Sequence, residues 1–168
     1  MIPTSRTTLS VPNGVLGLVP RYTEAHELRK ATHEDIDYLS THLRTEDKEE
    51  IKACSGENPR NGIRIAIDSG GLVAVTDGVP WIIWGNIDNS VWCLATPLIH
   101  KYKMFFVRAS RLWLRSLKFP YLVCYTDSRN KEHHKWLRAT SFEKCEDPYF
   151  FTDPSVAFHE YRRGQINV

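Results

Sequence analysis

The stretch "VWCLATPLIHKYK", Val91 to Lys103, passes from an apolar run into a helical one through a turn that carries His100, Lys101 and Lys103. Strand-to-helix turns hold phosphates well, because the first N–H groups of the helix lack partners and its dipole favours an anion. This turn contains no glycine. The chemistry it offers is therefore that of side chains, two ammonium groups and an imidazole able to make charge-assisted hydrogen bonds to a phosphate. Two readings stay open here: a phosphate site without its usual backbone cradle, or a core helix with a basic outer face.

Other reactive types are scattered. Asp88 lies in the turn "NIDNS", and Asp127 ends the apolar run "FPYLVCYT" just before Ser128. Both positions suit turn or cap residues. His133 and His134 are adjacent on a predicted helix, where side chains point about 100° apart and do not share a ligand face. No further ligand stands at metal spacing, so no metal is expected. Asn130 opens the helical segment "NKEHHKWLRATSFE", where its amide can cap the helix. The cysteines, Cys54, Cys93, Cys124 and Cys145, form no C-x-x-C pair and read as free thiols of a reducing compartment. There is no G-x-S-x-G elbow and no G-x-x-x-x-G-K-[ST] loop.

The elements that must position these residues follow from periodicity. Residues 1–25, with Pro3, Pro12, Gly14, Gly17 and Pro20, read as an irregular arm with one short strand at 14–19; residues 26–168 read as one domain. A strand over 26–31 precedes a helix over 33–43, whose start pairs Thr32 with Asp35 as a capping box. A second acidic helical piece runs from Thr45 to Gly56, and Ile63, Ala66 and Ile67 share one face before Gly70 and Gly71. "LVAVT" and "VPWIIWG" form a hairpin at Asp77-Gly78. Strict alternation in the second puts Trp81 and Ile83 on one face and Ile82 and Trp84 on the other. Both faces are apolar, which marks a central strand covered from both sides. The strand "VWCLAT", a helix over 98–118 and the strand "FPYLVCYT" make one crossover with parallel strands. Tyr102, Phe106, Ala109, Trp113 and Leu117 form the apolar face of that helix; Lys101, Arg108, Arg111, Arg115 and Lys118 form the basic one. A short helix follows, and two last strands flank Asp153-Pro154. The order β, α, α, β, β, β, α, β, α, β, β specifies an α/β (α+β) fold with a mixed sheet of about six or seven strands and helices on both faces.

Composition narrows the class. The chain has 168 residues, 42% hydrophobic and 25% charged, the size and balance of one globular domain. A net charge of +2 from 22 basic and 20 acidic residues gives no global attraction to nucleic acid or anionic membrane. No run approaches the ~18 apolar residues of a membrane span. The N-terminus lacks a continuous apolar core and a small-residue cleavage site, so it does not read as a signal peptide. A cytoplasmic protein is expected.

The order and lengths of these elements over 26–162 resemble the GNAT acyltransferase superfamily. The local segment "NKEHHKWLRATSFE" carries the resemblance further, with Asn130 at the helix start and Ser141-Phe142 in the place of the Gly-Phe that opens the family's next strand. The resemblance implies an acetyl-CoA or other acyl-CoA cofactor lying between the strands over 91–96 and 121–126. It implies backbone contacts at Leu94, Ala95 and Thr96, phosphate contacts from His100, Lys101 and Lys103, and a pantetheine contact from Asn130. Among base candidates Asp127 is preferred, with Asp88 and His100 behind it. Two departures stand out. Family glycines of the phosphate turn fall on Lys103 and Phe105, and Leu137 occupies the place of the usual Tyr acid. A narrower resemblance, carried by "WCLATP", the Trp-rich hairpin and the Asn-Lys-Glu-His-His helix, is to small GNAT-like proteins of short-tailed bacteriophages, which implies a host-modulating role in the host cytoplasm.

Three functions remain open at this level. One is an N-acyltransferase acting on an amine-bearing small molecule or protein. Another is a GNAT-derived protein that lost catalysis and binds a partner, for instance a host protein. The third is a nucleic-acid module using the basic helix face, which the charge balance disfavours.

Overall fold

Between His26 and Gly164, the residues that the computed structural model describes, twelve elements alternate around one sheet. The expected arm over 1–25 and its strand lie outside them. In chain order the elements are β1 (His26–Lys30), α1 (Asp35–His42), α2 (Thr45–Ser55), α3 (Pro59–Asp68), β2 (Leu72–Thr76), β3 (Val79–Ile87), β4 (Ser90–Ala95), α4 (Ile99–Ser116), β5 (Tyr121–Asp127), α5 (Lys131–Ala139), β6 (Glu143–Phe150) and β7 (Ala157–Gly164). The sheet runs β1-β2-β3-β4-β5-β7-β6, and β4 and β5 are its parallel pair. The mixed sheet, the crossover through α4 and the helices on both faces agree with the expected class.

Local signals explain most boundaries. Asp77 (φ 51°) and Gly78 (φ 79°) both take positive φ, as a two-residue type I′ hairpin demands. Gly56 (φ 74°) ends α2, and Asn58 starts α3 by accepting the Asn61 N–H. Three helices therefore separate β1 from β2, where the sequence order allowed two; the break is the Gly56–Asn58 turn. Asp35 accepts the Thr32 N–H at 2.8 Å, the acidic half of the expected capping box.

A second correction concerns β3. Val75 pairs with Pro80 and Ala74 with Ile82, so Trp81 is an extra residue in the strand. Such a bulge resets the alternation. Trp81, Ile82 and Trp84 enter the core under α4 and α5, and Ile83 alone enters the core under α1 and α3. All four are fully buried, as expected for a central strand.

The α4/α5 core is aromatic. Phe106 stacks on Trp136 at 5.3 Å, and the Trp136 indole donates to Ser110 Oγ at 3.0 Å. A pair of this kind adds about 0.5–1.5 kcal/mol beyond its area burial. The buried stripe of α4 is centred on Phe105, Phe106, Ala109, Ser110 and Leu114, with Tyr102, Trp113 and Leu117 on its border. Phe105 turns inward against His26 and Trp81, away from the phosphate turn.

Candidate active site at the splayed strands

β4 and β5 meet at one point. Ser90 pairs with Val123, whose N–H donates to Asn89 C=O at 2.9 Å; beyond it the ladder stops. The strand ends diverge and leave a gap between the two faces of the sheet. On the α4/α5 face the gap opens into a cavity of about 330 Å³ with His100, Lys103, Lys135 and Met104 at its walls. On the other face it opens into a cavity of about 250 Å³ with Glu50, Ile65, Ile87, Trp92 and Tyr125. Cys93 and His133 line both.

The second cavity depends on two glycines. A Cβ on Gly85 would meet Trp92 Cζ2 at 2.7 Å, and one on Gly71 would meet Trp92 Cη2 at 2.9 Å. Without side chains there, the indole packs against Gly71 and Gly85 and lines the cavity.

Polar side chains cross the gap. α2 packs in the core of α1 and α3 through Ile51, while α5 packs beneath α4 through Trp136 and Leu137. Residues of one face nevertheless bond those of the other. Asp47 (2% exposed) makes a two-point pair with Arg44, Nη2 at 2.6 Å and Nε at 3.1 Å. It also accepts the Ala95 N–H at 2.8 Å and the Asn130 amide at 3.0 Å. The same Asn130 amide donates to Glu50 at 2.6 Å, while Asn130 Oδ1 caps α5 by accepting the His133 N–H at 3.3 Å. Burial pushes the Asp47 carboxyl upward, against the pull of the Arg44 guanidinium.

His133 stands at the centre. Its Nε2 is 3.5 Å from Cys93 Sγ and 3.7 Å from Cys124 Sγ; its Nδ1 is 3.5 Å from Glu50 Oε1. Burial alone would lower the imidazole's pKa, but Cys93, Glu50 and Cys124 together hold it well above the ordinary value. Burial pushes the Cys124 thiol up.

No protein-family model and no curated protein matches the sequence significantly. Among solved structures the chain is similar to a GNAT-family acetyltransferase from Streptococcus agalactiae 2603, at a TM-score of 0.65 and 15% identity over 84% of this chain and 96% of that one. It is similar to a ribosomal-protein-alanine N-acetyltransferase from Brucella melitensis, at 0.57 and 12% over 82% and 99%. A ribosomal L7/L12 α-N-protein acetyltransferase in complex with coenzyme A aligns at 0.58 and 13% over 87% and 97%. The chain has the GNAT acetyltransferase fold.

In that GNAT frame the residues singled out from sequence fall into three groups. His100 and Lys103 line the α4/α5 cavity, as a phosphate contact requires. Lys101 instead lies over the Tyr102 ring, 5.0 Å from its centroid. The first turn of α4 closes on itself, since the N–H groups of Ile99, His100 and Lys101 donate to Thr96, Pro97 and Leu98. These N–H groups are therefore taken, and the groups the turn offers to an anion are side chains.

The β4 residues are committed elsewhere. Ala95 donates its N–H to Asp47 and accepts the Arg44 N–H at 2.9 Å, so both of its backbone groups are taken. Thr96 is buried and donates its N–H to Trp81. Leu94 pairs with Ile83 on β3. Strand N–H groups alternate in direction, so the next donor facing the gap after Ala95 is Cys93. Asn130 (1% exposed) both caps α5 and ties it to α2.

Asp127, the preferred base, is 1% exposed, and Arg129 occupies both its oxygens through Nε at 2.9 and 3.1 Å and Nη2 at 2.5 Å. Asp127 also accepts the Arg129 N–H at 2.8 Å, the geometry of a turn cap. It lines neither described cavity. Asp88 (φ 50°) is an exposed turn residue, and Leu137, in the place of the Tyr acid, is fully buried. His134, next to the central histidine, bonds Tyr161 Oη and Asp127 C=O.

Sequence reading missed Arg44, Asp47, Glu50, Cys93 and His133 as a set. The i, i+3 spacing of Asp47 and Glu50 places them on one face of α2, with Arg44 at its N-cap. That spacing was the available signal.

Proposed function

We propose that the protein is an N-acyltransferase that carries an acyl-CoA thioester, acetyl-CoA being the simplest, on the α4/α5 side of the gap and an amine on the α2/α3 side. One observation carries this reading: Cys93 and His133 line both cavities, so donor and acceptor can meet only there. Lys103, with the His100 ring beside it, gives the donor cavity a basic wall suited to phosphates, while Lys135 there is paired with Glu132 at 2.6 Å. Ile65, Ile87 and Trp92 give the acceptor cavity apolar walls, and Glu50 supplies an anion to draw an ammonium. The acceptor is accordingly an amine on an apolar body. The Cys93 N–H is the oxyanion donor facing the gap. Fit is incomplete at Ala95, whose backbone a pantetheine arm can reach only after Asp47 and Arg44 let go. Calorimetry and thermal shift with acetyl-CoA test the reading; saturation at a hundred times Kd stabilises by about 2.7 kcal/mol. No heat and no shift at millimolar cofactor would end it.

The closed Ala95 favours a second reading, a GNAT-derived protein that acts by binding a partner protein. Tyr149, Phe150 and Phe151 at the β6 edge, with Phe150 56% exposed, are the surface for it. The phage resemblance would make that partner a host protein. Calorimetry separates the readings, because this one needs no cofactor. The nucleic-acid reading is weaker, since Arg111 spends its guanidinium on Ala139 C=O at 2.5 and 3.0 Å.

A further inference from the structure

We infer that Cys93 is a nucleophile that takes the acyl group onto its own sulfur, with His133 as its acid and base and Glu50 as the residue that positions the imidazole. The inference rests on the acyl-transfer reading above and changes its chemistry from direct transfer to a covalent relay.

The three residues come from three elements, β4, α5 and α2, and meet only because the sheet is split between β4 and β5. The sulfur-to-Nε2 distance is 3.5 Å, and Glu50 Oε1 stands 3.5 Å from the opposite ring nitrogen. A thiol, an imidazole and a carboxylate in that order form the arrangement that activates a cysteine. The Asn130 amide fixes Glu50 at 2.6 Å, so the carboxylate is itself held. Cys93 is the half-buried thiol of the pair that faces His133, and it borders both cavities. Cys124 is fully buried and borders neither.

Burial and the neighbouring His134 oppose a charged His133, while the groups of β4, β5 and α2 favour it. Cys93 and Cys124 from β4 and β5 and Glu50 from α2 favour the imidazolium. Arg44 lines the α4/α5 cavity with Cys93 and His133 and is paired with Asp47 at 2.6 Å.

The step balances without an oxidant or a further reactant. The Cys93 thiolate attacks the thioester carbonyl, a new C–S bond forms, and the old C–S bond breaks. The departing thiolate takes the His133 proton. A neutral amine then attacks the acyl-cysteine, forming C–N and breaking C–S. The amine proton goes to His133 and Cys93 leaves as thiolate, which restores the starting ion pair.

The test uses the full chain without acceptor, incubated with acetyl-CoA or with the acetyl thioester of N-acetylcysteamine, which has no phosphates. Intact mass should rise by one acetyl group, located on the peptide holding Cys93 and discharged by added amine. Cys93→Ala should lose the adduct, and Cys145→Ala, at the distant β6 edge, should keep it. His133→Gln should slow acylation by about 10²–10⁴-fold. Glu50→Gln should move the alkaline limb of the acylation profile to lower pH, because the imidazolium loses its carboxylate; a merely structural role would leave that limb in place. Iodoacetamide should alkylate Cys93 in wild type faster than in His133→Gln. Labelling by the short thioester with no acetyl-CoA binding keeps Cys93 as nucleophile and removes only the CoA reading. Bound acetyl-CoA with no adduct on Cys93, or turnover unchanged in Cys93→Ala, overturns the inference.

Discussion

The Asp47 carboxylate accepts the Ala95 N–H at 2.8 Å, so a side chain of α2 fills the backbone position on β4 that a neighbouring strand would otherwise occupy. Arg44 completes the closure from its own backbone and its guanidinium. A buried pair of this kind tests the balance between desolvation and attraction. Asp47→Ala leaves a buried guanidinium uncompensated and should cost about 3–5 kcal/mol in urea unfolding. The double change Asp47→Leu with Arg44→Met should cost much less than the sum of its parts. Additive losses would show that the two residues do not act as a pair.

His133 makes stability depend on pH. Its folded-state pKa is raised above the ordinary 6.5 by Cys93, Glu50 and Cys124 despite burial. Its contribution is therefore complete below about pH 6.5 and is lost as pH rises through the elevated value. The midpoint of denaturant unfolding should fall over that range, and His133→Gln should flatten the fall. A wild-type midpoint that rises through the same window would contradict the assignment.

Gly85 lies beneath Trp92, and a methyl group there would meet the ring at 2.7 Å. Gly85→Ala should cost about 1–3 kcal/mol, as overpacking does, and should push the indole toward the α2/α3 cavity. Combining it with Trp92→Leu should recover much of the loss. Equal melting temperatures for wild type and Gly85→Ala would show that the ring is not confined.

Ser141 holds φ at 67° in the turn between α5 and β6. Ser141→Gly removes a left-handed strain of about 1–2 kcal/mol and restores some unfolded-chain entropy, leaving a gain of up to about 1 kcal/mol. Ser141→Val should be destabilising, since a β-branched side chain fits that conformation poorly. Thermal melts of the two variants should move in opposite directions.

Most of the fold is legible because local chemistry decides it. Asp77-Gly78 can only be a tight hairpin turn, Gly56 can end a helix at positive φ, and Ser141 reveals its position by standing where a glycine is expected. The bulge at Trp81 was not legible, because the partner register that creates it comes from β2, not from β3 itself. The site divides the same way. Asn130 shows as a cap from its place before α5, and His100 and Lys103 show as basic residues on a turn. Nothing local shows that Glu50 reaches His133 through the sheet, since that contact exists only where β4 and β5 part. Asp127 shows as a turn cap from its place before Ser128, but the Arg129 guanidinium that occupies both its oxygens and removes it as a base has no local signal.

The single bridge at Ser90 and Val123 divides the sheet into two leaves, β1–β4 and β5–β7, each laddered within itself. Parting the far ends of those leaves breaks no further strand pairing; the side-chain bonds of Arg44, Asp47, Glu50 and Asn130 resist it, together with the Asp153 N–H to Ala53 C=O bond at 3.0 Å and the packing of Ala53 against Val156 and Phe158. The molecule thus has a seam that can be unfastened residue by residue while each leaf stays whole. Hydrogen exchange should resolve the leaves as separate cooperative units, with the amide of Ala95 opening earlier than those of β3.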